Sequence, residues 1–238
     1  MNEMPSKPIR VGEPLLEVRN LSKNFGPVQA LNDLSMMVRA GEVVALAGDN
    51  GAGKTTLIKA ISGVYQPSSG EILLKGTPGT FSSPQEARDK GIETIYQDLA
   101  LADNLTIGAN IFLGREPMRR AFGILPVLDR AKMAEAAKST MALLDFHVSR
   151  LDAPVSNFSG GQRQAVAIGR AVYWDAQILI MDEPTAALGV PEQRKVISLI
   201  HQLKAQGRGV IFISHNLQDI FAVADRIVVL RRGVQAGE

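Results

Sequence analysis

The sequence predicts an α/β fold built on a largely parallel sheet, and three segments predict it. Glu42-Val-Val-Ala-Leu-Ala-Gly48 and Gln177-Ile-Leu-Ile-Met-Asp182 are short apolar runs of the kind that fill a sheet covered on both faces. Gly48-Asp49-Asn50-Gly51-Ala52-Gly53-Lys54-Thr55-Thr56 joins the first run to Thr55-Thr-Leu-Ile-Lys-Ala-Ile61, whose apolar residues have helical spacing. With 238 residues, 45% of them hydrophobic, the chain can bury a full core of this class.

The elements follow in chain order. Met1-Asn-Glu-Met-Pro-Ser-Lys-Pro8 lacks the apolar stretch of a signal peptide and reads, to residue 14, as a disordered tail. Residues 15–238 read as one domain. Leu15-Leu-Glu-Val-Arg19, Leu34-Ser-Met-Met-Val38 and Glu71-Ile-Leu-Leu-Lys75 place strands and hairpins in 15–40 and 71–81. Residues 104–172 read as mostly helical, with Asp129 capping Arg130–Lys138 and a helix over Gln162–Ala171. From 177 to 231, strands and helices alternate, and Gly207 and Gly209 mark one return from helix to strand. The chain stops at Glu238, soon after the strand Ile227–Leu230.

Composition removes several function classes. No apolar run reaches the length needed to span a membrane. Cysteine is absent, so disulfides and thiolate metal sites are excluded. A net charge of +2 is too balanced to argue for nucleic acid as a partner. The run Arg115-Glu-Pro-Met-Arg-Arg120 reads as a solvated surface, with docking to a membrane partner or to headgroups as a weaker reading.

The turn at 48–56 has plain chemistry. Its glycines let backbone N–H groups face inward at the start of a helix, where the dipole favours an anion. Lys54 adds a cation that can reach β- and γ-phosphates, and the Thr55 hydroxyl can bind Mg²⁺. Asp182 and Glu183 stand at the C-terminal end of a predicted strand, where open α/β sheets bind ligands. Asp182 can hold Mg²⁺ through water, and Glu183 can polarise an attacking water. Taken alone, the same pair reads equally as a helix cap.

A second glycine-rich turn, Phe158-Ser159-Gly160-Gly161-Gln162, opens the predicted helix at 162–171 and forms another anion site, with no lysine of its own. With the phosphate loop it resembles the nucleotide-binding subunits of ABC transporters, from about Leu15 to Gly233. The resemblance implies a RecA-like P-loop NTPase core, an antiparallel β subdomain and a helical subdomain at about 98–172. It implies ATP and Mg²⁺ as cofactors and ATP hydrolysis as the activity. Phe25 then matches the aromatic that stacks on adenine. Gln97 matches the glutamine that touches Mg²⁺ and senses the membrane partner. Ser159–Gln162 match the signature motif, with Phe158 where leucine is usual. His215 matches the switch histidine at the γ-phosphate, while His147 and His201 read as ordinary satisfied histidines. Lys54, Gln97, Glu183 and His215 would carry the chemistry, with Thr55, Gln97 and Asp182 on the metal.

The resemblance further implies a head-to-tail homodimer, a transmembrane permease, an indirect link to a periplasmic sugar-binding protein, and a place on the cytoplasmic face of the bacterial inner membrane. Asp98–Leu105 and Asn110–Glu116 resemble ATPases of ribose, xylose and fructose importers. The single copy resembles the fructose type best. The family also has a further strand and helix after the last predicted strand, so a shortened C-terminus is expected. After Pro184 the family reads a small-residue stretch ending in leucine and aspartate. Here Leu188 is followed by Gly189, and no carboxylate is expected in the aspartate's place, so communication between the two sites is in doubt. The rival class is a soluble ABC-type ATPase of DNA repair or translation, which usually carries a coiled coil, a zinc insertion or a tandem copy. A non-hydrolysing nucleotide-binding regulator is the third class, and Glu183 argues against it.

Overall fold

The computed structural model describes residues 11–238 except 80, 122, 123, 145, 147–149 and 187. Most of the expected tail at 1–14, and His147, therefore lie outside the described residues. The chain divides into two compact units. The first comprises 1–94, 176–183 and 200–238; the second comprises 95–175 and 184–199.

In the first unit, β1 (Pro14–Phe25), β2 (Val28–Arg39), β4 (Ser69–Leu74) and β5 (Thr77–Pro78) form an antiparallel sheet in the order β2-β1-β4-β5. A six-stranded sheet runs β12-β11-β3-β10-β9-β6, from β3 (Val43–Ala47), β6 (Ile92–Ile95), β9 (Ile178–Asp182), β10 (Gly209–Ile213), β11 (Arg226–Arg231) and β12 (Val234–Gly237). Within it, β9, β10, β3 and β11 pair in parallel, and β12 returns antiparallel on β11. All five residues of β10 are buried, which explains its unbroken apolar sequence.

The helix α1 (Lys54–Ile61) places Leu57, Ile58 and Ile61 in a core shared with Leu16, Leu34 and Val38 of the antiparallel sheet and Val44, Leu46, Ile180 and Ile211 of the parallel one. The C-terminal ends of β3, β9 and β10 thus stand on a dry, rigid base. Two short helices, α2 (Pro84–Asp89) and α7 (Leu217–Val223), complete this unit; the latter is capped by Asn216, whose Oδ1 accepts from the Gln218 N–H at 2.9 Å.

The second unit contains α3 (Ile107–Ile111), α4 (Arg130–Leu143) and α5 (Gly160–Tyr173), and the first part of α6 (Val190–Ala205). Asp129 caps α4 through the Lys132 N–H at 3.0 Å, as its sequence predicts. A Cβ at Gly108 would lie 2.5 Å from the Met133 carbonyl, so α3 and α4 can approach this closely only with glycine there. Fully buried Asn110 accepts from the Ala102 N–H at 2.8 Å, and its amide donates to the carbonyls of Ala102, Leu105 and Thr106. Phe112, Tyr173 and Trp174 form an edge-to-face cluster with centroids 4.8–5.6 Å apart.

One expectation is corrected here. The stretch read as mostly helical contains a hairpin of β7 (Met118–Ala121) and β8 (Leu125–Leu128). Gly114, Pro117, Gly123 and Pro126 supply the reason, because four breakers in so short a span defeat a helix. Among the described residues, no helix is long and apolar enough to cross a membrane.

Candidate active site

The phosphate loop is held by its glycines and by a turn that the sequence did not single out. Gly48 has φ 146°, and a Cβ on it would lie 2.3 Å from the Leu230 carbonyl. Gly53 has φ 107° and would meet the Ala30 carbonyl at 2.9 Å. The Gly233 N–H, in the turn between β11 and β12, donates to the Ala52 carbonyl at 3.0 Å, and the Ala52 N–H donates to Asp49 O at 3.1 Å. The β11–β12 turn therefore fixes the loop from behind. Asp49, Asn50, Gly51 and Thr55 are exposed, while Gly53, Lys54 and Thr56 are half-buried.

The loop's donors suit a phosphate chain. The α1 N-cap is Gly53, with no side-chain cap and no acidic residue in the first turn. The leading N–H groups of α1 are thus left for a ligand to satisfy. Lys54 Nζ lies over the loop and donates to Gly48 O at 2.5 Å and Asp49 O at 3.0 Å.

Asp182 and Glu183 follow from the end of β9. The Glu183 N–H donates to Ile213 O of β10 at 2.9 Å, and Glu183 adopts φ 51°, a left-handed conformation costly for a non-glycine residue. This bend brings its Oε1 within 2.9 Å of His215 Nδ1. The Glu183 side chain is 16% exposed, against 80% for His215. Burial, and then the charge of Glu183, pushes the Asp182 carboxyl above its usual range, and Lys54 opposes the rise. Lys54, Asp182, Glu183 and His215 therefore share one electrostatic neighbourhood within the first unit.

Phe25 ends β1 at 41% exposure. It meets Tyr65 edge-on at 5.1 Å, with Lys23 Nζ 5.1 Å from its ring centre. Tyr65 was not singled out in the sequence; its place just beyond α1 was the available signal. Gln97 lies on an exposed turn beyond β6 and belongs to the second unit, as do Ser159–Gln162.

The signature turn is a complete helix cap. The Ser159 N–H donates to Gln162 Oε1 at 2.9 Å, and the Gln162 N–H donates to Ser159 Oγ at 3.4 Å. Arg163 pairs with Asp103 at 2.5 Å and braces the first turn of α5. A Cβ at Gly160 would meet Leu188 at 2.8 Å, and one at Gly161 would meet Glu192 Cγ at 2.8 Å. The segment after Pro184 is thus packed against the signature turn.

That packing corrects the expectation for Gly189. A Cβ there would lie 2.8 Å from Glu192 Oε2. A carboxylate does occupy the space where a side chain at 189 would begin, and it arrives from the first turn of α6. The signal in the sequence was Glu192 itself, three residues on.

Among the described residues, no group of three or more His, Cys, Asp or Glu side chains could hold a metal. Within the first unit, a hydroxyl and a single carboxylate, as on Thr55 and Asp182, would leave a cation dependent on phosphate oxygens. That is the donor chemistry Mg²⁺ prefers.

The family model described as ABC transporter matches residues 31–186. The chain is 52% identical to the xylose/arabinose import ATP-binding protein XylG of Sulfolobus acidocaldarius, over 92% of this chain and 85% of that protein. It is 47% identical to the fructose import ATP-binding protein FrcA of Rhizobium meliloti, over 93% and 86%. It is 44% identical to a ribose import ATP-binding protein, RbsA 1 of Streptomyces coelicolor, covering 92% of this chain and 43% of that longer protein. A nucleotide-free ATP-binding cassette from an ABC transporter superposes with TM-score 0.82 at 28% identity, over 94% of this chain and 90% of that one. A family match across more than half of the chain, joined to relatives this similar over most of its length, makes it a member of the ABC transporter family, on the ATP-binding side of that family.

Proposed function

We propose that this chain binds and hydrolyses ATP to power import of a monosaccharide through a membrane permease. The observation that carries the reading is the meeting of Glu183 with His215 at 2.9 Å, in the same neighbourhood as Lys54 and the uncapped start of α1. The xylose/arabinose, fructose and ribose import proteins among the relatives support transport over DNA repair or translation.

In this reading the N–H groups of residues 51–56 and Lys54 Nζ hold the β- and γ-phosphates, and Phe25 stacks on adenine. Thr55, Asp182 and Gln97 would hold Mg²⁺, which neutralises phosphate charge when bound. Glu183 orients the attacking water and takes its proton, and His215 fixes the Glu183 carboxylate through Oε1. The capped turn Ser159–Gln162 covers the γ-phosphate held by a second copy, so two chains close head to tail on ATP. Closure is driven by contacts that only the paired state offers. The permease docks near Gln97 and the second unit at the cytoplasmic face of the membrane. The sugar is chosen by the permease and a periplasmic binding protein, and this chain makes no sugar contact.

Light scattering on purified Glu183→Gln, with and without Mg-ATP, tests the shared site. Doubling of mass on adding ATP is expected. ATP binding without doubling, both alone and with its permease, would overturn the shared site. The transport half falls if wild-type protein hydrolyses ATP with its permease in vesicles yet drives no monosaccharide uptake.

A further inference from the structure

We infer that the β7–β8 hairpin is a membrane-contacting element that seats the second unit on anionic lipid headgroups. The inference rests on the membrane-side reading above.

Among the described residues the hairpin stands as a two-stranded sheet, β7-β8. Two-stranded sheets are marginal in water unless a face is covered. Here both faces carry exposed groups. Met118 pairs with Leu128 and Arg120 with Pro126, so these four share one face; Arg119 pairs with Val127 on the other. Met118 is 57% exposed, Leu125 60% and Ile124 83%. Exposed apolar side chains on both faces and at the turn end of so small a sheet mark an interaction surface.

The base of the hairpin is firmly held. The Asp129 N–H donates to Pro117 O at 2.8 Å, and Arg115 lies 4.9 Å from the centre of the Trp174 ring. Exposed Ile124 and Leu125 are thus carried on a stem closed at its base.

Charge selects the occupant. Arg119, Arg120, Arg130 and Lys132 share residues 115–132 with only two carboxylates, Glu116 and Asp129, and Asp129 is engaged in capping α4. Arg119, Arg120, Arg130 and Lys132 form no ion pair among the described residues. Residues 115–132 carry five basic and two acidic side chains, a net +3 against +2 for the whole chain. Cytoplasmic loops of a permease are themselves enriched in Lys and Arg, and a second copy of the hairpin would be equally cationic. For a hairpin inserted end-on, an anionic headgroup layer complements the arginines on both faces, and its acyl boundary accepts Ile124 and Leu125 at the turn end.

The test is co-sedimentation of the full chain with phosphatidylcholine vesicles and with vesicles containing phosphatidylglycerol. Wild-type protein is expected on the anionic vesicles only, with binding weakened by salt. Arg119→Glu/Arg120→Glu should lower that partition at least about tenfold, since each basic residue near such a surface is worth about 1 kcal/mol. Arg119→Lys/Arg120→Lys should retain it. Ile124→Ser/Leu125→Ser should weaken binding while leaving its salt dependence in place. Equal binding of wild type to both vesicles, no binding to either, or unchanged binding of the charge-reversed variant each overturns the inference. So does capture by permease in neutral lipid with none by anionic vesicles. ATP hydrolysis by the charge-reversed protein, measured on the same sample, is expected at the wild-type rate. Loss of hydrolysis in wild type would strike the functional proposal and leave lipid binding to be judged separately.

Discussion

Two helices in this molecule begin at glycine-rich turns, and they begin in opposite states. The phosphate-loop helix α1 starts from Gly53 with no side-chain cap, and Lys54 lies over the loop. The signature helix α5 starts from Ser159 with a reciprocal cap to Gln162 and a brace from Arg163 to Asp103. A helix start without a cap leaves donors that a ligand can satisfy, and a cation beside them raises affinity for an anion. A capped start has already met that need within its own chain. The first turn should therefore bind nucleotide in a single chain. The second should contribute only when another chain brings a phosphate to it, because an isolated anion would compete with Gln162 for the Ser159 cap.

The sharpest break of this contrast separates turnover from binding. Glu183→Gln keeps the fold and the loop donors but removes the proposed base. Phosphate release should fall by roughly 10²–10⁴ while ATP affinity stays within about twofold. Unchanged turnover would remove Glu183 from the chemistry. Next in size is Lys54→Ala, which deletes the cation from the uncapped turn. ATP affinity of a single chain should fall by roughly tenfold to a hundredfold, as expected for a charge-assisted contact, and calorimetric titration measures it. Ser159→Ala acts on the other turn. It should lower stability by about 1 kcal/mol through the lost cap, with single-chain ATP affinity unchanged. A drop in that affinity would show that the second turn serves nucleotide in its own chain and would end the asymmetry.

Much of this was legible in the sequence because the relevant signals are local. Strand β3, the loop and α1 are consecutive, so glycine spacing and apolar period suffice to place them. The capping residue Asp129 and the buried strands β9 and β10 were legible for the same reason. Contacts between distant segments were not. The hold of Gly233 on Ala52, the ring of Tyr65 on Phe25 and the approach of Glu192 to Gly189 depend on which segments the topology makes neighbours. The β7–β8 hairpin was missed for another reason. Its strands are four residues each, and Met118-Arg-Arg-Ala121 has no alternating apolar pattern to mark it.

A smaller test concerns charge at the uncapped site. Burial and Glu183 raise the Asp182 carboxyl above its unfolded value, so the folded chain holds that proton more tightly than the unfolded chain does. Stability from this group is then present at low pH and is lost as pH rises from the ordinary aspartate range through the raised value. Asp182→Asn should raise the melting temperature of nucleotide-free protein at neutral pH and flatten this slope. A lower melting temperature for the variant would contradict the burial argument.

The smallest expected effect bears on the segment packed against the capped turn. Gly189→Asp would place a side chain 2.8 Å from Glu192 Oε2, at its Cβ, and so set two carboxylates together. Two gains oppose this: aspartate ahead of a helix caps it slightly better than glycine, and a residue with a Cβ loses less chain entropy. Like-charge repulsion at a partly exposed site is worth about 0.5–1 kcal/mol, enough to outweigh them. Gly189→Asp should therefore destabilise the wild-type chain by less than about 1 kcal/mol. In a Glu192→Gln background the same change should be neutral or stabilising. Denaturant melts of the four proteins give the coupling directly. Additive changes would mean that Glu192 does not stand in for the missing aspartate. A coupling of the expected sign would mean that this chain keeps a carboxylate beside its signature turn by drawing it from the next helical turn, and that Gly189 is what makes room for it.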